Sequence, residues 1–88
     1  MAIREFTLDD VRRILLAAAG AGEGVDLDAD IRDRSFGDLG YDSIALLEAG
    51  GRIEIEWGIT LDDAALTDAV TPDALVLLVN SHLAALAV

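Results

Sequence analysis

With 88 residues, 53% of them hydrophobic and 5% aromatic, the chain has the size of one small domain and ample apolar material for a core. Seventeen acids against six arginines give a net charge of −11, which repels nucleic-acid phosphates and anionic lipid and suits basic protein surfaces. The lack of cysteine excludes a disulfide framework and a thiolate zinc site, and an intracellular, cytoplasmic setting is expected.

Alanine, leucine, isoleucine and valine dominate the apolar set, and strand signals are scarce, so helices are expected throughout. The first spans about 8–19. Thr7 and Asp10 have capping-pair spacing, and Leu8, Val11, Leu15 and Ala18 recur at steps of three and four, with Ile14 flanking them. Gly20, Gly22 and Gly24 then end it. Residues 14–22 have the apolar composition of a secretory signal, but Glu5, Asp9 and Asp10 precede them where basic residues belong, so a helix end is the better reading.

A long connection follows, from about 20 to 42. Val25, Leu27, Ile31, Phe36 and Leu39 are spaced to anchor it across a bundle, with a short helical turn near Phe36. Within it, Asp26, Asp28 and Asp30 imitate a calcium loop. Ile31 stands where that loop needs glycine and Gly37 where it needs glutamate, so no metal site is expected.

The second helix is expected at about 43–57 and carries two apolar stripes. Leu46, Ala49, Gly50, Ile53 and Trp57 share one face, assigned to the core. Ile44, Leu47 and Gly51 lie on another, bordered by Glu48, Glu54 and Ile55. Exposed apolar residues ringed by acids suggest a surface that docks a partner; the competing reading is that loop residues cover this stripe. Gly50 and Gly51 each weaken the helix by roughly 1 kcal/mol, and a close helix approach, room for a bound acyl chain or a tolerated weak point would each account for them.

Thr60 and Asp63 suit the cap of a short third helix over about 62–68. Thr71-Pro72-Asp73 is a stronger start: a cap, then proline at the first helical position, then an acid in the first turn. The last helix runs to about residue 86, with Leu75, Val79, His82 and Leu86 along one stripe and Leu77 off it. The apolar run 75–88 is shorter than the roughly 20 residues of a membrane span, and Asn80, Ser81 and His82 interrupt it. The expected fold is an all-α four-helix bundle, three main helices plus a short third, with a long first loop and one domain over 1–88.

The segment Leu39-Gly40-Tyr41-Asp42-Ser43-Ile44 places a serine where a glycine turn becomes an amphipathic helix. Alone, Asp42-Ser43 is an ordinary cap, with Tyr41 and Leu46 as its hydrophobic staple. Three features raise a functional reading. Gly40 permits a sharp turn that frees the hydroxyl, a phosphodiester on Ser43 would sit at a helix N-terminus that favours anions, and the second apolar stripe begins at the next residue.

On these residues the chain resembles an acyl carrier protein along nearly its whole length. The string from Phe36-Gly37-Asp38 through Ala45-Leu46-Leu47-Glu48 is most similar to the discrete carriers of bacterial type II aromatic polyketide synthases. Fatty-acid carriers typically have alanine where this chain has Tyr41; peptidyl carriers usually have a Gly-Gly pair and are less acidic. The resemblance implies that Ser43 bears 4'-phosphopantetheine from coenzyme A, whose thiol holds polyketide intermediates as thioesters, and that the chain itself is not an enzyme. It implies that Asp42 aids a phosphopantetheinyl transferase, and that Ile44, Leu47, Glu48 and Glu54 contact partner enzymes. Those partners are the transferase, the ketosynthase/chain-length factor, a malonyl transferase, and ketoreductase and cyclase-type enzymes; a monomer is expected, without nucleic-acid or membrane partners. The alternatives are a fatty-acid or aminoacyl/peptidyl carrier and, from another class, an acidic helical interaction domain with no prosthetic group. A hydrolase using Ser43, His82 and an aspartate is disfavoured, because His82 falls on the apolar stripe of the last helix and no separate oxyanion-hole motif accompanies it.

Overall fold

The structure, a computed structural model, describes residues 5–19 and 30–86. Four helices occupy them: α1 Leu8–Ala19, α2 Ser43–Trp57, α3 Asp63–Asp68 and α4 Pro72–Leu86. α1 packs against both α2 and α4, and the short α3 bridges α2 and α4. The all-α expectation holds, with one short helix and three long ones. Val25, Leu27, the glycines at 20, 22 and 24, and Asp26 and Asp28 lie outside the described residues.

α1 begins with a reciprocal cap. The Thr7 N–H donates to Asp10 Oδ2 at 2.9 Å, and the Asp10 N–H donates to Thr7 Oγ1 at 3.4 Å, so two amides that the helix leaves without partners are satisfied. Val11, Ile14 and Leu15 are buried, whereas Leu8 and Ala18 pack at the edge of the core. The core centre is therefore one step round from the stripe the spacing suggests. α1 is fastened to α2 by the Arg13 guanidinium, whose two nitrogens donate to the two Glu56 oxygens at 2.9 and 2.7 Å.

The expected core face of α2 holds for Leu46, Ala49, Gly50 and Ile53, all buried. Trp57 is half-buried and meets the buried Phe6 edge to face, with ring centroids 5.4 Å apart. Gly58 closes the helix in the left-handed conformation at φ 68°, its N–H donating to the Glu54 carbonyl. Gly50 has a packing reason: a Cβ there would overlap Leu66 Cδ2 of α3. It is a close helix approach that makes this glycine necessary.

The start of α3 corrects one expectation. Asp62, not Thr60, is the cap, its carboxylate accepting the Ala65 N–H, and the helix opens at Asp63. Thr60 is exposed and two residues too early, because Leu61 between it and Asp62 is buried and closes the α2–α3 loop on the core. α4 starts as expected, with Thr71 Oγ1 accepting the Ala74 N–H at 3.1 Å and Pro72 in the first helical position. Leu75 and Val79 are buried and His82 is half-buried. Burying side chains such as Leu15, Ile53, Leu66 and Leu75 contributes about 1.5–3 kcal/mol each.

Candidate functional site

Ile31, Phe36 and Leu39 anchor the described part of the first loop, each at most 3% exposed. Between them the chain makes one helical turn, with Leu39 N–H donating to the Ser35 carbonyl and Gly40 N–H to the Gly37 carbonyl. Gly40 then adopts φ 87°, a left-handed value that a residue with a Cβ takes only at a cost. The chain reverses there into α2. Tyr41 is buried behind the turn, its N–H donating to the Phe36 carbonyl at 2.9 Å, and Phe36 donates in turn to the Val70 carbonyl at 2.8 Å. A second tie joins Asp73 N–H to the Arg32 carbonyl at 3.1 Å. The loop is thus sewn to the α3–α4 junction, and the serine turn stands on it.

Asp42 is the N-cap of α2 in extended conformation, and its carboxylate accepts the Ala45 N–H at 2.8 Å. Ser43 is the first helical residue and is exposed. The first turn of a helix carries N–H groups without intrahelical acceptors, and Asp42 occupies only that of Ala45. Those of Ser43 and Ile44 remain, together with the positive end of the helix dipole, beside the hydroxyl. An anionic phosphodiester on this oxygen fits the position.

Beside the hydroxyl lies a pocket of about 280 Å³ walled by Phe36, Tyr41, Leu46 and Val70 and edged by Ser35 and Thr67. Ser35, Thr67 and Val70 escaped the sequence reading. They come from the loop, α3 and the α3–α4 connection, and pairing between such distant segments leaves no local signature. His82 lines a different pocket, with Gly58, Ile59, Thr60 and Ala85, so the structure does not bring it to Ser43. Among the described residues no cluster of histidine and acids could hold a metal ion.

The second stripe of α2 is uncovered. Ile44 is 74% exposed, Leu47 37% and Ile55 88%, so no described loop residue caps it. Glu48 is exposed beside them. Glu54 is half-buried, and its Oε2 accepts the Leu61 N–H at 3.1 Å, which ties the carboxylate to the α2–α3 loop. No helix among the described residues is long and apolar enough to cross a membrane.

The comparisons with known proteins agree with this geometry. Residues 9–79 match the family described as "Phosphopantetheine attachment site". The chain is 58% identical to the monensin polyketide synthase acyl carrier protein of Streptomyces virginiae, over 97% of this chain and 96% of that one. It is 51% identical to the granaticin polyketide synthase acyl carrier protein of Streptomyces violaceoruber, over 84% and 87%. The actinorhodin holo acyl carrier protein from S. coelicolor superposes with a TM-score of 0.81 at 39% identity, covering 96% of this chain and 98% of that chain. A glycine turn, an exposed serine at a helix start and a family match across the bundle converge: the chain belongs to the acyl carrier proteins of type II polyketide synthases, which carry 4'-phosphopantetheine covalently.

Proposed function

We propose that Ser43 is the attachment residue, in a single carrier domain spanning 1–88 that serves an aromatic polyketide synthase in the bacterial cytoplasm. The observation that carries this is the exposed hydroxyl at the first position of α2, directly after the Gly40 turn. On the transferase, the Ser43 oxygen bonds to the pantetheine-bearing phosphorus of coenzyme A, its proton passes to a general base of the transferase, and the P–O bond to adenosine 3',5'-bisphosphate breaks as that group leaves. The first-turn N–H groups and the helix dipole then hold the resulting phosphodiester. When bound, the arm supplies the thiol that this cysteine-free chain lacks.

The chain's own part is to present, orient and release. Ile44 and Leu47 form an apolar centre and Glu48 an acidic border, which suits a basic partner. Asp42 and Glu54 belong to this surface too, though both carboxylates also serve the fold, as the α2 cap and as the tie to Leu61. The partners we assign are the phosphopantetheinyl transferase, the ketosynthase/chain-length factor, a malonyl transferase, and ketoreductase and cyclase-type enzymes, with the carrier a non-catalytic monomer. Incubation with coenzyme A, magnesium and a broad-specificity transferase should add one arm by intact mass, and Ser43→Ala should add none. An arm on Ser35 or Ser81 would overturn the assignment.

A further inference from the structure

Two adjacent glycines in α2 have different physical standing. Gly50 is forced by Leu66, as described. Gly51 is not: apart from its chain neighbours and its own helix backbone, no atom of the described residues lies within 4 Å of where its Cβ would stand. A mid-helix glycine weakens a helix, and no described side chain requires this one to be glycine. Its position is informative. At 100° per residue, Ile44, Gly51 and Ile55 fall within about 40° of one another on the exposed face. Gly51 is therefore a gap in an apolar stripe between two of the most exposed large side chains of the domain, at 74% and 88%.

We infer that Gly51 is a specificity notch for the partner enzyme: a bulky apolar side chain, set in a basic surface, enters between Ile44 and Ile55 and rests on the α2 backbone. The inference rests on the docking role proposed above for α2 and deepens it. A partner's basic surface is the occupant because Glu48 stands beside the notch on a chain of net charge −11. A second copy of this chain would bring the same charge against itself. Glycine allows the closest approach of a foreign side chain to a helix, and a methyl group there fills the seat.

The test compares Gly51→Ala, Leu47→Asp and the parent chain, each carrying its arm, for binding to the ketosynthase/chain-length factor by surface-based kinetics. Gly51→Ala should raise the thermal midpoint by about 4–8 °C, since the added Cβ meets open space and the helix gains propensity. It should nevertheless speed dissociation about tenfold, with little change in association rate. A stabilised Gly51→Ala that dissociates like the parent, while Leu47→Asp dissociates faster, overturns the notch and leaves the docking role standing. If neither variant dissociates faster, the docking role fails and the notch with it. Concentration-dependent dimerisation of the parent that Gly51→Ala abolishes would make the occupant a second copy and overturn the proposal.

Discussion

Asn80 of α4 holds the peptide groups of Phe6 by both of their polar atoms: Oδ1 accepts the Phe6 N–H at 2.8 Å, and Nδ2 donates to the Phe6 carbonyl at 2.9 Å. A residue near the end of the bundle thereby fixes the segment that leads into α1, and Phe6 is fully buried against Trp57.

Replacing Asn80 by leucine removes both bonds and leaves a partly buried N–H and carbonyl to find water. The expected loss is about 1–3 kcal/mol. Chemical denaturation followed at Trp57, the single tryptophan, should show the midpoint fall and the native emission shift, since the Phe6 ring packs on that indole.

At Gly50, alanine gains about 1 kcal/mol of helix propensity but drives a methyl into Leu66. Leu66 is buried, so overpacking dominates and a net loss of about 1–3 kcal/mol is expected. Leu66→Ala in the same chain should cost less than it does alone, because the new methyl fills part of the space vacated; a double-mutant cycle on thermal midpoints checks this.

Asp42 does two jobs that substitution can separate. Asp42→Ala removes the acceptor for Ala45 N–H and should cost about 0.5–2 kcal/mol. Asp42→Asn keeps the cap and only loses the charge, so its stability should match the parent. The rate of arm transfer to Asp42→Asn should fall severalfold, with high salt narrowing the gap.

Asp10 gives a pH dependence with a definite sign. Burial works to raise its pKa, but the Thr7 N–H, the Arg13 guanidinium and the Thr7 hydroxyl outweigh it and hold the carboxyl below its ordinary value. A folded value below the unfolded one means that the contribution is fully present above about pH 3.9 and is lost as pH falls through the folded value. Asp10→Asn should therefore be less stable than the parent at pH 6, and thermal midpoints should converge as the pH is lowered below about 4.

The elements that local chemistry governs were legible in the residues. Thr7 with Asp10, Asp42 before Ser43, and Thr71-Pro72 each begin a helix where their spacing says, because a cap needs only residues a few positions apart. The buried face of α2 followed from its period, and the exposure of Ile44 and Leu47 left the second stripe uncovered. What escaped was set by distance. Ile14 lies deeper in the core than its place beside the α1 stripe suggests, because α1 touches two helices at once. The cap of α3 moved to Asp62 because the core takes Leu61, and the reason for Gly50 lies on another helix. The pocket wall at Val70 depends on a bond between remote peptides, from Phe36 to Val70, which no local pattern records.

Those remote peptides form a line from Val70 to Phe36 to Tyr41, two residues short of Ser43, each step a backbone hydrogen bond of 2.8–2.9 Å. The serine turn and the α3–α4 connection are consequently tied to each other through backbone. The tie from the α3–α4 junction to Tyr41 is made of main-chain groups alone, whatever side chains stand along the way. Amide exchange at Phe36 is where that tie is to be read, since its N–H is bonded across to Val70, whereas the Tyr41 N–H, bonded to Phe36, reports the opening of the turn itself.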